Sequence, residues 1–144
     1  MNDLEARKWL AYARSDLDAG WALLRDPEHF PRQVCFLAQQ AAEKALKALL
    51  ISCDIEFPRT HDLDWLRESI PLGCLVKAAF PQLYSLSIWA IESRYPSDMP
   101  DVIESDAKEA LELAERIYQV TEQDFQAMTG LNVNAMGPGS GISL

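Results

Sequence analysis

Between Val34 and Cys53 the apolar positions run almost right round a helical cylinder. Val34, Ala38, Ala41, Ala45 and Ala48 fall on one side, and Cys35, Ala42, Leu46, Leu49 and Cys53 on another. A narrow polar stripe is left at Gln33, Gln40, Glu43, Lys44 and Lys47. A helix patterned in this way is a core element that other helices cover on both apolar sides, and its alanines let them approach closely. The stripe itself reads as a solvated edge or a contact with another subunit.

The same periodicity predicts a first helix from about Asp3 to Arg25, carried by Leu10, Ala13, Leu17, Gly20, Trp21 and Leu24 and stopped at Asp26-Pro27. The central helix then spans about Pro31 to Cys53, with Pro31 tolerated in its first turn. Pro58 breaks the pattern, and a short third helix of about Asp62 to Ser69 follows, with Thr60 as a candidate cap. A fourth helical region, about Leu75 to Glu92, must break or kink near Pro81. Arg94-Tyr95-Pro96 and Pro100 enforce a compact connection, after which Ile103, Ala107, Ala110, Leu111, Ala114, Ile117 and Tyr118 define one face of a last helix ending near Phe125. From Thr129 onward Asn, Gly, Ser and Pro dominate, so the reading is one helical domain over residues 1–128 and a flexible tail over 129–144. The fold class is all-α, an up-and-down bundle of four to five helices.

Composition narrows the function. With 22 acidic residues against 13 basic ones the net charge is −9, which excludes a broad basic surface for coating nucleic acid but leaves room for a small basic pocket assembled by folding. No apolar run reaches the roughly 20 residues that span a bilayer, and the acidic start Met1-Asn2-Asp3-Leu4-Glu5 is unlike a secretory signal. Three cysteines, Cys35, Cys53 and Cys74, without CxxC spacing suit reduced thiols in a cytoplasmic protein. His29 and His61 belong to no metal-ligand cluster, and no glycine-rich loop opens a helix, so neither metal nor cofactor is expected.

Two loci carry candidate chemistry. Arg59-Thr60-His61-Asp62 stands at the start of the third helix, where amides favour an anion and a histidine can hold phosphate or move a proton. The alternative there is plain capping by Thr60 or Asp62, with His61 bonded to backbone. Arg94, in a rigid turn, can reach phosphate in bidentate fashion or pair with a helix carboxylate to pin the turn. Of the four tryptophans, Trp9, Trp21 and Trp65 read as core and Trp89 as a pocket wall near Arg94.

The segment Trp9 to Ala19, the run from Cys35 to Leu50, the step Thr60-His61-Asp62-Leu63 and the turn Ser93-Arg94-Tyr95-Pro96, in that order, resemble the HEPN family (higher eukaryotes and prokaryotes nucleotide-binding), in an Arg-Tyr-Pro variety, over roughly Asp3 to Gln123. The resemblance implies a helical bundle, homodimerisation through helix faces, binding of nucleotide or RNA, and pairing with a small nucleotidyltransferase in toxin-antitoxin-like systems. Many members are metal-independent RNases built on an arginine and, after a gap of four to six residues, a histidine. Arg94 matches the arginine, but Met99, Pro100 and Asp101 stand where the histidine belongs, and none of them supplies an imidazole. The RNase motif is therefore read as degenerate.

Three readings follow. The leading one is a dimeric domain that binds nucleotide or RNA phosphate through Arg94, Tyr95, Asp16 and Lys44, with Asp16 as the acidic partner orienting Arg94. The second is a non-catalytic dimeric interaction module. The third is an RNase in which His61 has taken the place of the missing base, making Arg94 and His61 the catalytic pair.

Overall fold

Burial of the central helix on nearly every side organises the molecule. The computed structural model describes residues 2–96 and 100–135. Helix α1 (Asp3–Leu24) starts behind Asn2, whose side chain accepts the Glu5 amide, and α2 (Pro31–Ser52) returns after a short turn. Helices α3 (Leu63–Ser69), α4 (Leu75–Ala79), α5 (Tyr84–Ser87) and α6 (Trp89–Glu92) are brief, and α7 (Glu104–Ala135) is the longest. No strand occurs among the described residues. Helices α1 and α7 pack along α2 and against one another, while α3, α5 and α6 also lie against α2. Both apolar sides read from the sequence are buried, from Val34 and Cys35 through Ala48 and Leu49, with Cys53 at the end partly exposed.

Small residues set the spacing. A Cβ added to Gly20 would lie 2.6 Å from Leu111 Cδ2, so α1 and α7 approach through the missing side chain. A bidentate pair ties the same two helices: Arg14 Nη1 and Nη2 donate to Glu115 at 2.7 and 2.9 Å, and Trp21 Nε1 adds a bond to the same carboxylate at 3.1 Å. The Arg14 hydrogen bond holds the Glu115 carboxyl below its ordinary range against an opposing cost of burial. Trp21 is thus an anchor between helices, Trp9 packs edge-on against Phe57, and Trp65 is more exposed than its pattern suggested.

Polar side chains stitch the short helices. Asp62, not Thr60, caps α3 by accepting the amides of Asp64 and Trp65. Asp64 accepts the Leu83 amide, and Arg67 donates to the carbonyls of Lys77 and Phe80 at the end of α4. Asp124, buried on α7, accepts the Leu75 and Val76 amides at 2.7 and 2.9 Å and so caps α4 from another helix. The break expected near Pro81 is present, and the fourth region divides into α4, α5 and α6.

Helix α7 continues to Ala135, past the end expected near Phe125 and into the segment assigned to a tail. Packing accounts for the turn past Phe125: Phe125 is buried, Met128 lies on the core, and the Cys53 thiol donates to Met128 Sδ at 3.9 Å, so the helical face outlasts the obvious apolar pattern. The Gly-Pro-Gly run expected to be flexible lies outside the described residues. Ile103, assigned to the apolar face, precedes α7 and is exposed.

Two outcomes are expected. Replacing Asp124 with Ala leaves the α4 amides without their acceptor and should lower unfolding free energy by about 1–3 kcal/mol in a urea titration. Burial pushes the Cys35 thiol up from 9.0 to about 12 and Cys74 to about 11. Cys35 near neutral pH should then hold about a thousandfold less thiolate than an ordinary thiol and resist a disulfide reagent until the chain is unfolded. Because these thiols titrate higher folded than unfolded, the stability they confer is complete below pH 9.0 and is lost as pH rises from there toward the folded values.

Candidate functional site

The polar stripe of α2 is solvated only in part: Gln33 is exposed and Gln40 and Lys44 are half-buried. Phe36, Gln40, Glu43 and Lys47 follow one another at helical contact spacing, and Glu43 and Lys47 are buried, with side chains only 6% and 9% accessible. Lys47 Nζ donates to Glu43 Oε2 at 3.0 Å, and its charge also faces the rings of Trp9 and Phe57. Glu43 Oε1 receives Gln39 Nε2 at 3.1 Å and His61 Nδ1 at 2.7 Å. At Glu43 and Lys47 the expected solvation gives way to pairing within the chain, because the segment after α2 folds back over this part of the stripe.

That fold-back has a local cause. Helix α2 ends with Asp54 at φ 56°, the left-handed conformation that closes a helix, while the Ile55 amide bonds the Leu50 carbonyl at 2.9 Å and the Asp54 amide bonds Ile51 at 3.0 Å. Residues 55–61 then run back beside α2 and deliver His61 to Gln39 and Glu43. Gln39 Nε2 and Ser87 Oγ both donate to the His61 carbonyl. His61 therefore bonds a buried carboxylate through its ring, not backbone as the capping alternative had it. The backbone role falls to His29, whose Nδ1 bonds the Asp26 carbonyl at 2.6 Å in the turn before α2.

Arg94 follows α6, its amide bonded to the Ile91 carbonyl, and Pro96 prevents the helix from continuing. Its guanidinium lies over the Phe36 ring, 4.9 Å from the centroid. Arg32, one turn before Phe36, donates to the Ser93 carbonyl at 3.4 Å and faces the Phe30 ring. The two arginines, with Trp89, Glu92 and Tyr95, line a cleft of about 610 Å³ between the start of α2 and the end of α6. Glu92 and Asp101 also line this aromatic-walled cleft, so it is not basic as a whole, but its two guanidinium groups can take a phosphate and its rings a planar group. Trp89 is a wall of it, as the pattern suggested.

The predicted site residues thus separate. Arg94 and Tyr95 share the cleft, whereas His61 is fixed near Glu43, two helical turns from Phe36 and roughly 10 Å further along the α2 axis. Asp16 does not serve as the partner expected for Arg94: its carboxylate takes Lys44 Nζ at 2.6 Å. The pair bridges α1 and α2 at the stripe residue Lys44, which also faces the Tyr12 ring, so α1 helix geometry directs Asp16 toward Lys44. Met99 lies outside the described residues. Sequence reasoning missed Arg32 and the buried role of Glu43. Extending the stripe back one turn from Phe36 finds the first, since Arg32 and Phe36 are four residues apart. No group of metal-ligating side chains occurs among the described residues.

An all-α bundle with a buried polar stripe and an arginine-bearing turn defines a class of helical domain, and comparison with known proteins gives the class its name. The HEPN domain model matches residues 6–124, and the chain belongs to the HEPN family. Among solved structures it is similar to TT1696 from Thermus thermophilus, with 30% identity and a TM-score of 0.71 over 86% of this chain and 99% of that one. It is also similar to ST0689, described as an archaeal HEPN homologue, with 26% identity and a TM-score of 0.60 over 83% and 97% of the two chains. No curated protein matches. No described helix is long and apolar enough to cross a membrane.

The buried pair makes a sharp prediction. Lys47→Met alone removes the cationic partner on Glu43 Oε2 and leaves the buried carboxylate with only its Gln39 and His61 bonds, which should cost up to about 3–5 kcal/mol in chemical denaturation, far more than a surface lysine would.

Proposed function

We propose that this HEPN domain binds nucleotide or RNA phosphate at the Arg32–Arg94 cleft and has little or no cleavage activity of its own. The observation that carries the reading is the pair of guanidinium groups held on aromatic rings at one cleft of an otherwise acidic chain. Cationic groups that already stack on rings lose less freedom when a phosphate arrives. Tyr95, 63% exposed at the cleft, offers a further ring or hydroxyl to the ligand. Asp16 and Lys44, being paired to each other, contribute by bracing α1 against α2 rather than by holding phosphate.

The absence of an imidazole at Met99, Pro100 and Asp101 supports a binding role over cleavage, and the family resemblance supports a homodimer working beside a small nucleotidyltransferase in a toxin-antitoxin-like system in the cytoplasm. A second reading, a dimeric interaction module without a ligand, draws on a separate surface: Leu4 and Tyr12 on α1 are 71% and 67% exposed and border a largely apolar cavity of about 630 Å³.

Binding of short RNA strands and nucleotides, measured across a salt series, separates the two. Arg94→Ala should weaken binding at every sequence and reduce the salt slope by about one. Binding that is absent, or insensitive to salt and to Arg94→Ala, overturns the phosphate reading in favour of the interaction module. Cleavage lost in His61→Ala would instead make the protein an RNase with a relocated base.

A further inference from the structure

His61 is more than half exposed, with a side-chain accessibility of 55%, yet it is pinned as few surface side chains are. Its ring bonds Glu43 at 2.7 Å, and its carbonyl accepts from Gln39 at 3.2 Å and from Ser87 at 3.1 Å. Gln39 is itself oriented, because its Oε1 accepts Gln40 Nε2 at 2.8 Å and so turns its own amide nitrogen toward Glu43 and His61. The whole arrangement rests on the buried Glu43–Lys47 pair. Such pairs are weak contributors to stability, since apolar residues of similar volume commonly do as well, so a role in holding another group accounts for it better.

From this geometry we infer that Glu43 is a positioning residue that fixes the tautomer of His61 and presents Nε2 to the surface as a hydrogen-bond acceptor for a ribose hydroxyl. A carboxylate beside an ammonium group only accepts hydrogen bonds, so the neutral imidazole must carry its proton on Nδ1 to make the 2.7 Å contact. Nε2 is then left with its lone pair directed away from Glu43. This is the reverse of free histidine, in which the Nε2–H form predominates. The neighbouring pattern of a carboxylate setting a histidine tautomer is the general means by which proteins choose the working nitrogen. The ligand half of the inference rests on the phosphate reading above: His61 does not line the Arg94 cleft, but a strand that holds phosphate there and extends along α2 would reach it, and an acceptor at that point distinguishes RNA from DNA through the 2′-hydroxyl.

The test is nitrogen-15 NMR of the histidine rings in the full chain at about pH 8.5, above the ordinary histidine range, combined with binding of matched RNA and 2′-deoxy strands. The variant is Glu43→Leu with Lys47→Met, which removes both buried charges together. His61 in the unaltered protein should show the Nδ1–H pattern, and the double variant should return it toward Nε2–H. RNA should bind about three- to tenfold more tightly than the deoxy strand, and that ratio should fall toward one in the double variant and in His61→Ala. An Nε2–H ring in the unaltered protein, or a folded double variant with tautomer and ratio unchanged, overturns the inference. If the double variant fails to fold, the spectrum of the unaltered protein decides the positioning role and His61→Ala the discrimination. If neither strand binds, the phosphate reading and the ribose assignment fall together, while the ring spectrum still decides whether Glu43 sets the tautomer.

Discussion

Every other helix but α4, which docks on α7, takes its place from the need to cover α2. A helix apolar on two sides cannot rest on a single neighbour, so α1 and α7 occupy its long flanks and the short helices close what remains. Its alanines make close approach feasible, and Gly20 extends that economy to the contact between α1 and α7. The polar stripe is the one side on which no apolar helix fits. There the chain answers with charges paired to charges, and with a peptide segment rather than a helix laid across them.

The same constraint separates two kinds of polar contact. Arg14–Glu115 and Lys44–Asp16 span helices at the partly exposed rim, where solvent screening limits what each adds to stability and their main effect is on register. Glu43, Lys47, Gln39 and Asp124 are buried and hydrogen-bonded, the first three among themselves along α2 and to His61, the last to the amides of α4. Losing a partner is costly in the second group because the survivor has no water to turn to. The candidate site lies along the junction between the two, with Arg94 exposed on an aromatic ring and His61 exposed on a buried carboxylate.

Much of the fold was legible because periodicity is a local signal. Helix α1, helix α2, the short α3 and the interruption near Pro81 all follow from apolar spacing and proline placement within a few residues. The end of α7 was not legible, since the contact of Met128 with Cys53 joins residues 75 positions apart and nothing near Thr129 announces it. The site was legible in its parts and not in its pairing. Arg94, Tyr95 and His61 stood out by type and setting, and the family resemblance was carried by the segments around them. Which carboxylate each cation meets depends on helix rotation, and so Asp16 meets Lys44 while Glu43, which looked solvated, meets Lys47 and His61.

The left-handed residue at Asp54 makes the loop behind α2 a ruler. From that fixed corner the chain measures back a set number of residues before His61 comes opposite Glu43, and the same count delivers Asp62 to the first turn of α3. A residue inserted or removed between Ile55 and Thr60 would shift the imidazole off its carboxylate and the cap off its helix in one step. The length of this loop is thus constrained beside the identity of residues such as Phe57 within it, because one spacing serves both the bundle and the surface it exposes.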